Sequence, residues 1–172
     1  PLRRGLRGVR RSVTDIWKTT IAINGLVARY ADAVNRWDRD QLATCFTSDV
    51  TWSAGPLSAQ GRPAVLDLMT SVRERFDWLI QTVGGVHVVE VGEAGATCRV
   101  YATEWSMSKS EGAVLLGEYH DRCVCDDGDW RFTRRVLDVL YQGPAHPILA
   151  GRCRGATTRP DITELEERIG RN

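Results

Sequence analysis

The stretch Arg29-Tyr30-Ala31-Asp32-Ala33-Val34-Asn35-Arg36-Trp37-Asp38, followed by Phe46-Thr47-Ser48-Asp49-Val50-Thr51-Trp52, decides the fold. Residues 13–37 carry Ile16, Ile23, Leu26, Val27, Tyr30 and Val34 at helical spacing, the apolar stripe of a helix that faces a sheet. Asp38 stands where an N-cap is needed, and Gln41 three residues later gives the capping-box spacing for a short helix through Cys45. Residues 49–53 then alternate with the period of a strand, which Gly55-Pro56 ends.

Gly61-Arg62-Pro63 opens the next helix, with proline in the first turn, where its missing N–H costs nothing. Val65, Leu68, Met69, Val72, Phe76 and Leu79 mark its buried face, and Arg73-Glu74-Arg75 reads as a solvated one. From Gln81 the period changes to two, and 83–91, 96–107, 113–125 and 130–141 read as successive strands. Gly92-Glu93-Ala94-Gly95, Lys109-Ser110-Glu111-Gly112 and Asp126-Asp127-Gly128-Asp129 supply the turns between them. Connections this short imply antiparallel neighbours. Helices followed by a meander of long strands make an α+β arrangement. After Pro144 the chain is loop-rich, and Asp161 or Thr163 could cap a last short helix through Ile169. The expected organisation is a basic arm over 1–12, one α+β domain over 13–143 and a tail over 144–172.

Length and composition agree with one domain: 172 residues, 42% of them hydrophobic, suffice for a single core. The 23 basic and 22 acidic residues leave a net charge of +1, so bulk charge points to no nucleic acid. The basic excess is local, with Arg3, Arg4, Arg7, Arg10 and Arg11 preceding the first acid, Asp15. Such a start suits a solvated arm, a targeting segment or a contact arm. No apolar run has the length of a membrane span and no secretory signal is read, so the expectation is a cytoplasmic protein. The five cysteines, Cys45, Cys98, Cys123, Cys125 and Cys153, lack zinc-like spacing and are expected as reduced, buried thiols. Cys123 and Cys125, two apart on a strand, should share a face.

The second half adds Gly117-Glu118-Tyr119-His120-Asp121, then Asp127-Gly128-Asp129-Trp130-Arg131-Phe132, then Arg134-Arg135. With the opening stretch, these pieces resemble, in order and spacing over roughly 21–141, the SnoaL-like proteins of the nuclear-transport-factor-2-like superfamily. The resemblance implies a cone-shaped, curled antiparallel sheet with helices closing a central pocket. It also implies activity on apolar, often ringed molecules without a metal or organic cofactor, and a homodimer or homotrimer. In dehydratase-like relatives, the acid–base pair is an aspartate on the first helix and a histidine entering the sheet. Those positions match Asn35 and Gln81 or Thr82 here, and neither substitute abstracts a proton at neutral pH.

Other groups could carry chemistry. Tyr30 matches a tyrosine of the bile-acid dehydratase-like members, as a proton or hydrogen-bond donor, or is a core residue with its hydroxyl at the rim. Glu104, in an apolar and aromatic strand, is the candidate general base if it faces the pocket, where burial would raise its pKa. If the strand is turned the other way, Glu104 lies outside, paired with an arginine. Trp52 matches a pocket-wall tryptophan of dehydrochlorinase-like members, or packs in the core. Tyr119 and Asp121 should share a face, and Arg135 matches a pocket arginine. A buried ion pair of Arg135 with Asp121 or Glu104 could be structural, or the guanidinium could hold an anionic group of a ligand. Leu68, Phe76, Leu115, Gln81 and Thr82 complete the expected lining. His87, His120 and His146 are poor substitutes for the missing base.

These residues suggest a lyase or isomerase, of dehydratase or cyclase type, acting on a small hydrophobic molecule. Tyr30, Asn35 and Glu104 would be its catalytic residues, with Trp52, Leu68, Phe76, Gln81, Thr82, Leu115, Tyr119 and Arg135 at the substrate. The alternative is a non-catalytic ligand carrier or assembly subunit that keeps the cone and has lost the pair. An epoxide-hydrolase-like site would need Glu104, Asp121 and Arg135 to converge on a water.

Overall fold

Strands of this chain pair mostly with their neighbours in sequence, and the exceptions create the cone. The computed structural model describes residues 13–145 apart from Ser110, with side chains from Ile16 onward. Helix α1 (Val13–Arg36) is followed by α2 (Arg39–Thr44), β1 (Phe46–Ala54), β2 (Leu57–Gln60) and α3 (Arg62–Arg73). Then come β3 (Trp78–Val83), β4 (His87–Gly92), β5 (Gly95–Ser108), β6 (Glu111–Asp126) and β7 (Asp129–Pro144). The sheet runs β2-β1-β7-β6-β5-β3, with β4 also paired to β5. It is the expected α+β architecture, a curled sheet of seven strands that does not close. Every pairing is antiparallel but one: β1 lies parallel to β7, which brings the start of the domain against its last strand.

The first helix stops by backbone chemistry. Trp37 adopts a left-handed φ of 55°. This lets the Trp37 N–H reach Val34 O at 3.3 Å and the Asp38 N–H reach Ala33 O at 2.9 Å. That crossed pair is a Schellman closure with tryptophan where glycine is usual. Asp38 caps α2 as its spacing predicts, its carboxylate accepting from the Gln41 N–H at 2.9 Å. The capping box is only half formed, because the Asp38 N–H is already spent on α1. The Gln41 amide turns back instead, donating to Arg29 O at 3.0 Å and Asp32 Oδ2 at 2.8 Å.

Other boundaries differ from the sequence reading for local reasons. The strand predicted over 83–91 is two, broken at Gly84-Gly85, and β3 begins earlier, at Trp78. Both pieces pair with β5, β3 with its second half and β4 with its first. Gly55-Pro56 ends β1 by turning it into a hairpin with β2, which the sequence did not reveal. Helix α3 stops at Arg73 and buries Val65, Leu66 and Met69; Leu68 is half-buried and Leu79 belongs to β3.

The sheet curls at irregularities in the β6–β7 ladder, between Leu116 and Gly117 and between Arg122 and Cys123. A β-bulge bends its strand and increases local twist. At Gly117 an added Cβ would stand 2.6 Å from Leu137 Cδ1 and 3.1 Å from Asp138 O, so the bend admits only glycine there without rearrangement. The core, including Ile23, Leu26, Val27, Phe46, Val50, Val100 and Phe132, lies between α1 and the concave face. Cys45, Cys98 and Cys123 are buried free thiols as expected, but Cys125 is exposed, because β6 has by then passed the edge of the core. Cys153 and His146 lie outside the described residues, as do the 1–12 arm and all of the 144–172 tail beyond Ala145. No helix among the described residues is long and apolar enough to cross a membrane.

Strand β3 is an edge, and α1 covers it. The Asn35 amide donates to Gln81 O at 2.9 Å and accepts from the Gln81 N–H at 2.6 Å, so one side chain imitates a neighbouring strand. About three turns earlier on α1, Asn24 Oδ1 accepts from the Val86 N–H at 3.3 Å. An unpaired edge exposes exactly such groups. Replacing Asn35 by Ala unpairs both and should destabilise the protein by about 2–4 kcal/mol in guanidinium unfolding. Asn35→Asp, which keeps the acceptor and sets a carboxylate against a carbonyl, should also destabilise; two variants as stable as the parent would exclude the clamp.

Candidate active site

A cavity of about 460 Å³ opens inside the cone. Its wall is apolar and aromatic, with Trp37, Trp52, Met69, Phe76, Leu115 and Leu137 among its residues. The strand period explains the inward set. Gln81 of β3 faces its register partner Glu104 of β5, and both line the cavity. Their neighbours Ile80 and Trp105 pair on the opposite, outer face.

A polar cluster sits in this apolar setting. Gln81 Nε2 donates to Glu104 Oε2 at 3.3 Å and to the Tyr119 hydroxyl at 3.2 Å. Burial raises the Glu104 pKa above the ordinary carboxylate value, and the hydrogen bond from Gln81 pulls partly the other way. Tyr119 is raised by burial, relieved by the charge of Arg135 and raised again by that of Glu104. Tyr30, from α1, is held well above the ordinary phenol value, first by burial and then by Tyr119, with Arg135 opposing. The Trp52 indole N–H is buried without a hydrogen bond of good geometry, although it lies near enough to Tyr30 to favour the phenolate. The Gln81 side-chain oxygen, Oε1, is likewise buried with no hydrogen bond from a described residue.

Beneath the two tyrosines lies a charge. The Arg135 guanidinium, fully buried, has its central carbon 3.9 Å from the Tyr30 ring centre, 3.7 Å from Tyr119 and 4.2 Å from Phe132. The rings meet edge to face, Tyr30 standing 6.1 Å from Tyr119 and 5.9 Å from Phe132. Such cation–π contacts strengthen when water is excluded. Asp121, the register partner of Arg135, approaches its Nε at 3.5 Å, yet neither group makes a hydrogen bond to a described residue. The pair is therefore Coulombic.

Of the residues expected at the site, the fold brings Tyr30, Trp52, Phe76, Gln81, Glu104, Leu115 and Tyr119 to one cavity. Arg135 lies below it, paired with Asp121 and not with Glu104. Asn35 is spent on the Gln81 backbone, the Thr82 hydroxyl faces outward and donates to Thr103 O at 3.3 Å, and Leu68 does not reach the lining. His87 and His120 are exposed. Sequence reasoning missed Leu137 and Val139, although the two-residue period from Arg135 places both inward. It also missed Arg73 and Arg75, which line the cavity instead of facing only solvent. Among the described residues no group of three or more His, Cys, Asp or Glu side chains could hold a metal ion.

The SnoaL-like domain model matches residues 18–136, well over half of the sequence. This chain belongs to the SnoaL-like family. Solved structures agree with that membership at the level of fold. A protein provisionally assigned as a scytalone dehydratase, from Novosphingobium aromaticivorans, superposes with a TM-score of 0.69 at 23% identity, covering 86% of this chain and 98% of that one. A hexachlorocyclohexane dehydrochlorinase from Novosphingobium barchaimii gives 0.72 at 18% identity, over 80% and 97%. The beta subunit assigned to an aromatic-ring-hydroxylating dioxygenase of Novosphingobium aromaticivorans gives 0.60 at 16%, over 74% and 92%. No curated protein matches the chain in sequence. Asn35 and Gln81 are in contact, but through the Gln81 main chain.

Burial lifts Asp121 from its ordinary 3.8 to about 6, against the pull of Arg135. The folded state thus holds this proton more tightly than the unfolded chain, so stability falls as pH rises from about 4 to about 6 and is level above. The difference is about 3 kcal/mol. Glu104, raised in the same sense, adds to the slope just above its ordinary value. Urea unfolding across this range should show the decline in the parent and a shallower one in Asp121→Asn; identical slopes would show that Asp121 titrates as it does when unfolded.

Proposed function

We propose that this protein is a cofactor-independent lyase or isomerase, of dehydratase or cyclase type, acting on a small hydrophobic, ringed molecule held in the cone. The observation that carries this reading is the Glu104 carboxylate: half-buried in the lining of an apolar cavity, raised in pKa, and joined through Gln81 to a tyrosine hydroxyl. A carboxylate so placed is a stronger base than one in water and can take a proton from carbon. Tyr119 and Tyr30 supply O–H groups for a substrate oxygen, and the guanidinium beneath both rings stabilises negative charge developing there. In a dehydration, Glu104 takes the C–H proton, the C–O bond breaks, and a tyrosine protonates the departing oxygen; the Glu104 proton then restores the phenol through the released water. In this scheme Asn35 holds β3, and with it Gln81, in place, instead of touching substrate.

Glu104→Gln should lower turnover by about 10²–10⁴-fold. The screen uses hydroxylated cyclic ketones and mass spectrometry to follow loss of water. Undiminished turnover in Glu104→Gln removes Glu104 from the mechanism.

A second reading, a non-catalytic ligand carrier or assembly subunit, draws support from the dioxygenase beta-subunit likeness. It also draws support from the outer sheet face, where Trp78, Ile80, Tyr101 and Trp105 are exposed together, Ile80 by 51%. The same face suits the homodimer or homotrimer that the family resemblance implies. Ligand binding with no turnover of any screened substrate favours this second reading.

A further inference from the structure

The cavity has two ends of opposite character. At its inner end Tyr30, Gln81 and Tyr119 are buried around Glu104, the one acid in its lining. At its outer end stand Arg73 and Arg75, the two bases in the lining, with Arg75 exposed. Exposure separates the ends: Tyr30, Gln81 and Tyr119 are buried, whereas Arg73 is half-buried and Arg75 exposed. Gln81 lies three residues into β3 from Trp78, about 10 Å along a strand, and both arginines precede Trp78.

Helix geometry explains only part of this pair. Arg73 closes the last turn of α3, and its Nη1 donates to Phe76 O at 2.7 Å. Its Nε is buried with no hydrogen-bond partner among the described residues, and Arg75 makes no side-chain bond to any of them. Neither arginine forms an ion pair with a described residue. Arg36, Arg39 and Arg131 are matched, to Asp32, Asp67 and Asp126. Arg29, Arg62, Arg122 and Arg134 share the lack of an acidic partner among the described residues but stand outside this lining, so what sets Arg73 and Arg75 apart is their place at the cavity. Two unmatched guanidinium groups at the rim of an apolar cavity favour an anion there, and a planar oxyanion suits their fork of donors. Glu104 at the far end would repel the same anion, which fixes the direction of entry.

Resting on the reading of this cavity as the ligand site, we infer that its ligand is an amphipathic anion. The apolar body occupies the cone with its reactive end at Glu104 and the tyrosines, and an acidic substituent stays at the rim against Arg73 and Arg75.

The test compares anilinonaphthalene sulfonate with its uncharged parent, phenylnaphthylamine, by fluorescence titration of the whole protein. The anionic probe should bind about tenfold tighter or more, the worth of a charge-assisted hydrogen bond. Arg73→Gln/Arg75→Gln should remove that preference and leave the neutral probe unchanged, whereas Arg62→Gln, the same charge loss at the other end of α3, should not. Arg75→Gln alone, at an exposed side chain, gives a partial loss and guards against a folding defect in the double variant. Leu137→Trp, which fills the cavity, should abolish both signals. Equal affinity for the probes, parallel loss of both in the arginine variants, or binding that survives Leu137→Trp would overturn the inference. Glu104→Gln should keep the anion preference whatever it does to turnover, so the rim site and the catalytic reading can fail separately.

Discussion

A guanidinium shielded from bulk water must be stabilised by whatever surrounds it, and around Arg135 that is three aromatic rings and one carboxylate. The rings come from α1, β6 and β7, so the charge ties the helix to the sheet. Buried ion pairs are weak evidence for stability, because desolvation offsets their attraction. Here the rings share that cost, and Asp121 is left with a raised pKa, the mark of incomplete compensation. The tyrosines gain an electropositive floor in return. Without Arg135, burial would raise both phenols further still.

The second constraint is the edge of β3. An isolated edge strand next to a cavity would be prone to shift register, and a one-residue slip would turn Gln81 outward. Asn35 fixes both backbone groups of Gln81, so the register that places Gln81 opposite Glu104 is held from the helix side. An aspartate at this position could accept from the N–H but not donate to the carbonyl. The asparagine thus supplies both halves of the backbone clamp on residue 81.

Much of this was legible in the sequence, for identifiable reasons. The α1 stripe, the Asp38 cap and the long β5–β7 meander obey periods of 3.6 and 2, which depend on local geometry alone. The direction of Glu104 was not legible, because alternation fixes which residues share a face but not which face is inside; that is set by the register with Gln81. The destination of the Asn35 amide was equally hidden, since it depends on β3 being the last strand of the sheet, a matter of topology and not of local period. Arg73 and Arg75 read as solvated because α3 was expected to continue through Phe76 and Leu79. Its end at Arg73 releases the chain to turn across the cavity rim.

Trp37 carries a consequence of its own. A tryptophan at a left-handed φ costs about 1–2 kcal/mol relative to glycine, and the half-buried indole offsets this by packing against the core and lining the cavity. The residue that closes the first helix is therefore also a piece of cavity wall. An apolar guest packed against that indole would add contacts to it, and would steady the helix end as it does so. Occupancy and folding are thereby linked through one side chain, and thermal denaturation becomes a direct reporter of which molecules enter the cone.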